Sequence, residues 1–520
     1  MIQVGISEDF RPLVEPAVRR LIEDQISSRL AEKDDTIWGP LAQEEASKRL
    51  GWVSSASDSA GLLGEIFALR DSLRETGIDR VVLCGMGGSS LAPEVICKNS
   101  GVDLVVLDAT SPDQVAAALT DLERTVAVVS SKSGSTVETD SQKRAFESAF
   151  SAAGIDARER IVIVTDPGSP LEVASREAGY RVFNADPTVG GRYSALTAFG
   201  LVPAGLAGAD ISQLLSSAAS AATSLHYDSE DNPAIWLAAA MAGDSASWDK
   251  FLIESDAYPG FGDWVEQLVA ESTGKEGRGV LPVVVTSSAP ELASTPADTV
   301  TIRAKNPSAH CSFEGDLGEL FLLWEWATAL AGYLLEINPF DQPNVESAKV
   351  AARALLDSPQ QAAEVEFVDR GMAVSSAGIE IVGQTVEAAL EQLMSLANEH
   401  SYFSFHVYLN RMEYPQFESL RDITAKRTGR PTTFGWGPRF LHSTGQYHKG
   451  GPSQGLFIQI TGEAGMDLEI NERPFTFGEL IAAQAAGDAR VIAESGAPVV
   501  SIHLSEPLGQ LELLKKIIES

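Results

Sequence analysis

The stretch Val126–Thr139, VAVVSSKSGSTVET, decides how the rest of this chain is read. An apolar, β-branched run feeds a loop in which Ser130, Ser131, Ser133, Ser135 and Thr136 surround Lys132, and Glu138 and Thr139 then open a helical pattern from Asp140 to Ala153. A strand that ends in a Ser/Thr/Gly turn at a helix N-terminus is an anion site. Free backbone N–H groups, hydroxyl donors and the positive end of the helix dipole converge there on one point. Lys132 is the one cation in the loop, which points to a single phosphate rather than a polyanion. A Ser-rich turn with an N-cap would account for one hydroxyl, not for five around a lysine.

The same arrangement occurs once upstream. Val81–Leu83 is followed by Gly85, Gly87, Gly88, Ser89 and Ser90, with a helix expected from about Leu91. This is neither a Walker loop, which closes on Gly-Lys-Ser/Thr, nor a dinucleotide fingerprint, whose spacing and ribose-binding acid are missing. Around these loops, from Asp79 to Asp186, apolar runs alternate with helical segments, which predicts an α/β fold with a parallel sheet covered on both faces. A second α/β set follows, with strands near Lys250–Ile253, Leu281–Thr286 and Val300–Arg303. Its apolar run Leu317–Ile337 contains Glu319, Glu325 and Glu336 and reads as a buried helix, not a membrane span. A further helix is expected from about Val345 to Leu356, and a third region has strands near Phe403–Leu409, Leu456–Thr461 and Val499–Leu504. The resulting division is a helical N-terminal segment (1–60), two α/β units (61–230 and 231–358) and a C-terminal α/β region (359–520), with a boundary at Asp357-Ser358-Pro359.

With 520 residues the chain exceeds what one hydrophobic core serves. A formal net charge of -33 opposes binding to nucleic acid or to an anionic membrane surface, so any phosphate must be held by local donors. The three cysteines, Cys84, Cys97 and Cys311, have no metal-type spacing and read as buried free thiols of a reducing compartment. The start of the chain, MIQVGISEDF, has no basic and hydrophobic signal pattern, and the expectation is a cytoplasmic protein.

GMGGSSLAP at Gly85–Pro93 and SSKSGSTVET at Ser130–Thr139 resemble the sugar-phosphate loops of the sugar isomerase (SIS) fold. Three further segments, GGRYSALTAFG (Gly190–Gly200), EQLVAESTGK (Glu266–Lys275) and NPFDQPNVESAK (Asn338–Lys349), are similar within that fold to phosphoglucose isomerases and follow in that family's order. The resemblance implies two SIS-type parallel-sheet sandwiches and cofactor-free aldose–ketose isomerisation of glucose 6-phosphate and fructose 6-phosphate through a cis-enediol. That reaction needs a base, an acid to open the sugar ring, a cation to steady the enediolate and an anchor for the phosphate.

Matched position by position, the resemblance makes Glu271 the base, Arg192 the enediolate stabiliser and Lys349 a ring-opening group. Ser89, Ser131, Lys132, Ser133, Thr136 and Gln267 become phosphate ligands, supported by Gly88 and Ser135. From the residues themselves, Glu271 ends a helical pattern at Ser272-Thr273-Gly274, where a carboxylate can face a cleft. Gly190 and Gly191 let the backbone beside Arg192 approach a ligand, whereas Glu346 and Lys349 read equally as a solvated pair three residues apart on a helix.

The family's ring-opening histidine falls in a Gly-Gln-His segment between the base and the FDQ motif. Here that interval has only His310, with nothing of the motif around it. The third region instead holds Gly445-Gln446-Tyr447-His448, with His442 just before it and Lys449 after, and either histidine could open the ring with Gln446 in support. That region resembles the C-terminal part of transaldolase/phosphoglucose isomerase fusion proteins, which implies association with a transaldolase. In the resembling family the histidine comes from the partner subunit, which implies a homodimer. The competing readings are an isomerase that also accepts mannose 6-phosphate and a non-catalytic SIS sugar-phosphate sensor. A sensor would not need Glu271, Arg192 and Lys349 together, and a DNA-binding regulator would need a basic helix-turn-helix that is absent before the first unit.

Overall fold

A computed structural model describes residues 2–357 and 364–520, with the backbone alone for residues 345–349 and 357. The expected boundary at 357–359 therefore lies almost wholly outside the described residues. Among the described residues the strands form three sheets.

The chain opens on strand β1 (Gln3–Ile6), and the first sheet is built from β2 (Arg80–Gly85), β3 (Val105–Leu107), β4 (Thr125–Ser130), β5 (Ile161–Thr165) and β6 (Arg181–Asn184). Its order is β3-β2-β4-β5-β6, every pair parallel, so the chain reverses its direction of travel at β2 and β4. A crevice opens beyond the carboxyl ends of two strands at such a switch point, and ligands bind there. Gly85 and Ser130 are register partners, so both Ser-containing loops leave the sheet side by side.

The second sheet consists of β7 (Lys250–Glu254), β8 (Leu281–Val285), β9 (Thr299–Ala304) and β10 (Cys311–Glu314), in the order β1-β10-β9-β7-β8. The expectation of an all-helical N-terminus is corrected here, because β1 pairs antiparallel with β10 from Gln3–Glu314 to Ile6–Cys311. Four residues are too short a run for alternation to show. The apolar run at 317 is the helix Leu317–Leu335, buried on all sides, with Asp316 and Glu319 forming a capping box. Burial raises the Glu325 carboxyl well above its ordinary value.

The third sheet holds β11 (Phe367–Asp369), β12 (Met372–Ala377), β13 (Tyr402–Tyr408), β14 (Thr432–Trp436), β15 (Gly455–Gly462) and β16 (Val499–Leu504), in the order β11-β12-β16-β15-β13-β14. The sequence pattern indicates β13, β15 and β16. The three strands it does not indicate are the sheet's two edges and the antiparallel strand β12. Alternation is weak in all three.

This region packs against both other units. Phe477 and Leu480, from the helix Phe477–Glu494, join the core formed by Val82, Cys84 and Val129 of the first sheet. Tyr402, Tyr447 and Phe457 join Leu252, Leu281 and Val283 of the second. Buried pairs Arg430–Asp298 and Arg421–Glu291 add charge complementarity to that apolar contact. Among the described residues no helix is long and apolar enough to cross a membrane. Cys84, Cys97 and Cys311 are all buried free thiols.

Candidate active site

A cavity of about 550 Å³ lies beyond the ends of β2 and β4, lined among others by Ser89, Ser131, Lys132, Ser133, Thr136, Arg192, Gln267, Glu271 and His442. The two Ser-containing loops form one wall. Thr136 precedes the helix Val137–Ala152, and Ser131 Oγ donates to Thr136 Oγ1 (3.1 Å) while accepting from the Gly134 amide (3.2 Å). Ser133 Oγ lies 2.9 Å from Ser135 Oγ; Ser135 itself supports the loop from outside the cavity lining. Ser130 Oγ is buried and has no hydrogen-bond partner among the described residues, which leaves an unused hydroxyl at the cavity floor. Gly88 is required by close approach: a Cβ there would sit 2.0 Å from the Gly191 carbonyl oxygen, so the glycine loop can only meet the Arg192 loop backbone to backbone.

Lys132 is already paired. Its Nζ lies 2.5 Å from Asp166 Oδ2, and burial lowers the Lys132 pKa while also raising that of Asp166. Arg49 also lines the cavity beside this pair. Neither Asp166 nor Arg49 is legible in sequence, since each lies outside any motif.

The opposite wall comes from the helix Phe261–Thr273, whose last turn carries Glu271. Glu271 Oε1 lies 3.2 Å from Arg192 Nη1, and Glu271 Oε2 accepts from Gln267 Nε2 (3.2 Å). Gln267 Nε2 also donates to the His442 carbonyl (2.7 Å), so two acceptors fix the amide's orientation and leave Oε1 buried without a partner among the described residues. Gln267, matched by resemblance to a phosphate ligand, thus lines the cavity and holds the Glu271 carboxylate.

Arg192 is 3 % exposed, and it donates four hydrogen bonds while Nη1 also pairs with Glu271. Nε donates to Ser272 Oγ (2.7 Å), Nη1 to Gln342 Oε1 (2.8 Å) and faces Glu271, and Nη2 donates to the carbonyls of Pro339 (2.7 Å) and Asp341 (3.1 Å). Lys275 Nζ donates to the carbonyls of Asn338 (2.6 Å) and Asp341 (2.7 Å) and to Asp341 Oδ1 (2.6 Å). Arg192 and Lys275 together therefore fold the NPFDQ loop around the base. Burial, with Arg192 nearby, lowers Lys275 to about 8. Lys349 lies on the helix Val345–Asp357, and its side chain is outside the described residues.

The two candidate histidines part company. His442 lines the cavity, its Nε2 2.9 Å from Glu138 Oε1, an oxygen that also accepts from Gln484 Nε2 (2.8 Å). Glu138 sits in the first turn of the phosphate-loop helix, and from sequence it reads only as the start of that helix. His448 does not line the cavity. Its Nδ1 lies 2.9 Å from the Tyr402 hydroxyl, its ring packs on His406 and Phe457, and burial holds its imidazole well below the ordinary value. Gln446 is likewise a clamp: Nε2 donates to the Gly274 carbonyl (2.8 Å) and Asn344 Oδ1 (2.9 Å), while Oε1 accepts from the Asn344 amide (2.9 Å). A Cβ on Gly274 would meet the Tyr447 backbone at 2.4 Å, so the turn after Glu271 lies directly against the third region. His310 is remote, packed on Phe10 and bonded to Thr301. Among the described residues no group of three or more His, Cys, Asp or Glu side chains could hold a metal ion.

The family model described as phosphoglucose isomerase matches residues 72–276. A protein named "Probable glucose-6-phosphate isomerase" from Haloarcula marismortui is 28 % identical over 421 residues, 68 % of this chain and 94 % of that protein. A glucose-6-phosphate isomerase of Thermus thermophilus is 28 % identical over 397 residues, 61 % of this chain and 95 % of that protein. A crystal structure of a hypothetical protein from the same species superposes with a TM-score of 0.59 at 25 % identity, covering 68 % of this chain and all of that one. Parallel-sheet units with a hydroxyl-lined cavity at a switch point define an α/β protein of the phosphate-binding kind. Within residues 72–276 the chain is similar to phosphoglucose isomerases.

Proposed function

We propose that this protein interconverts glucose 6-phosphate and fructose 6-phosphate in the cytoplasm, using its own side chains throughout. The observation that carries the reading is one cavity holding an anion cradle, a carboxylate–guanidinium pair and a histidine–carboxylate pair. The phosphate docks against Ser89, Ser131, Ser133, Thr136 and the N-terminus of the Val137–Ala152 helix, with Lys132 as the cation. This leaves C1 and C2 of the open-chain sugar to face Glu271, which moves the proton between them. Four of the five Arg192 N–H groups are bonded to protein, so it acts on the enediolate chiefly through its buried, permanent charge. His442, backed by Glu138, exchanges a proton with the ring oxygen as the sugar opens.

Because His442 comes from the same chain as Glu271, the site needs no partner subunit to supply it. The histidine is thus delivered in cis, unlike the arrangement that the resemblance implies. The deciding measurement is a coupled assay on fructose 6-phosphate in the presence of a chelator, run in D2O. Turnover with solvent hydrogen entering at C2 is expected. Binding of the sugar phosphate without turnover would favour the sensor instead, and parallel turnover of mannose 6-phosphate would widen the substrate range.

A further inference from the structure

The cavity belongs to the first two units, yet its histidine is lent by the third, so something must hold that histidine in register. The turn Arg439–His442, which follows β14 and precedes the short helix Gly445–Gly450, contains the means. His442 ends the turn at the cavity, and Arg439 begins it, with its guanidinium in a buried ion cluster. Nη1 of Arg439 lies 3.0 Å from Glu94 Oε2 and 3.2 Å from Asp108 Oδ2, and Nη2 lies 3.4 Å from Asp263 Oδ2. Arg411 meets the remaining oxygens, Glu94 Oε1 (3.2 Å) and Asp108 Oδ1 (3.1 Å). Glu94 Oε2 and Asp108 Oδ2 have no hydrogen-bond partner among the described residues, and Arg439 is the cation nearest to each, while Arg411, and Lys98 at Glu94, share the balance of the two carboxylates. Between the two ends, Phe440 packs on His406 with ring centroids 4.0 Å apart.

The partners of Arg439 are not arbitrary. Glu94 lies on the helix Leu91–Ser100 that directly follows Ser89, and Asp263 lies on the helix that ends at Glu271. One guanidinium thus touches the helix that follows the Ser89 loop and the helix that carries the base, three residues from the histidine that must be placed between them. Moving the turn would leave Glu94 Oε2 and Asp108 Oδ2, both buried, without their nearest cation and facing only the charges across each carboxylate, Arg411 and, at Glu94, Lys98, which opposes displacement more strongly than an exposed ion pair would. We propose that Arg439 is a positioning residue for ring opening, which sets the place of His442 through the Glu94–Asp108–Asp263 cluster.

The proposal rests on the isomerase reading, and two substrates separate the two. Fructose 6-phosphate must be opened before deprotonation. 5-Deoxyfructose 6-phosphate has no hydroxyl with which to close a ring and reports proton transfer alone. With the full chain, the ratio of the two rates is measured for the wild type, Arg439→Lys and Arg439→Gln. A misplacement near 1 Å costs on the order of 10²-fold, so the ratio is expected to fall about tenfold or more in Arg439→Gln. In Arg439→Lys, which keeps the charge, it is expected to fall less. A ratio that stays at the wild-type value, whether both rates hold or both fall together, overturns the proposal. If Arg439→Gln does not fold, the ratio in Arg439→Lys decides alone. A wild-type protein inactive on the open-chain analogue would instead break the isomerase reading itself.

Discussion

The phosphate cradle and the His442 turn reach the same cavity by opposite routes. The cradle is local: strand, hydroxyl loop and helix are consecutive from Thr125 to Ala152, and its internal hydrogen bonds span two to five residues. The His442 turn is held by groups far away in the chain, namely Glu138, Gln267, Glu94 and Asp108. A binding element can be carried whole by one strand–helix unit, whereas the group that performs a second chemical step can be delivered by a separate region. The two should therefore fail differently when cut.

The largest effect is expected at the base, which both routes serve. Glu271→Gln keeps the shape and the contact with Gln267 but removes the proton acceptor, and should lower turnover by roughly 10²–10⁴-fold. Near-normal hydrogen exchange at C2 in that variant would refute the assignment. Next comes the delivered histidine. His442→Ala should lower turnover of fructose 6-phosphate by roughly 10²-fold while leaving deprotonation of an open-chain analogue much less affected. His448→Ala should chiefly lower the melting temperature, because its ring is buried among Tyr402, His406 and Phe457. Equal selectivity in the two variants would break the comparison.

The cradle should show a milder and purely binding defect. Lys132→Ala is expected to raise KM for fructose 6-phosphate about tenfold, the lower range for a charge-assisted bond, because Asp166 already competes for that ammonium. Asp166→Asn should lower KM, and an unchanged KM in both variants would place the anion elsewhere. A smaller effect is set by pH. Lys275 gives up its proton at about 8 in the folded protein, against an ordinary value of 10.5, so activity should decline above about pH 8 as its grip on the NPFDQ loop weakens. Between those values the unfolded chain holds a proton that the folded chain has released, so this group's contribution to stability rises with pH there. Activity and stability should thus move in opposite directions, and Lys275→Arg should remove the decline. Smallest of all, dilution should leave specific activity unchanged, since His442 and Glu271 share one chain.

This contrast also explains how much is legible in the sequence. The strands of the first sheet, the buried Leu317–Leu335 helix and the base helix can be read because apolar periodicity and motif order are properties of neighbouring residues. Glu138 is hidden because a glutamate in a helix's first turn is ordinary on dipole grounds alone. Asp166 and Gln484 are hidden because each acquires its role only through a partner 34 or 346 residues away. The choice between His442 and His448 turns on which way a six-residue stretch faces, and that is set by Phe440 and Arg439 docking, not by spacing. β1 escapes a sequence reading because its pairing partner lies at the far end of the second unit.

The His442–Glu138 contact joins residues 304 apart in sequence, and this has a consequence for how the molecule comes into being. Contacts of such separation form late, after the entropy of closing the intervening chain has been overcome and the separate units have condensed. A refolding chain should therefore recover its helical signal and the ability to hold a sugar phosphate before it can open a sugar ring. For an interval it would be a working proton-transfer catalyst on open-chain sugars with no access to the cyclic form that dominates in solution.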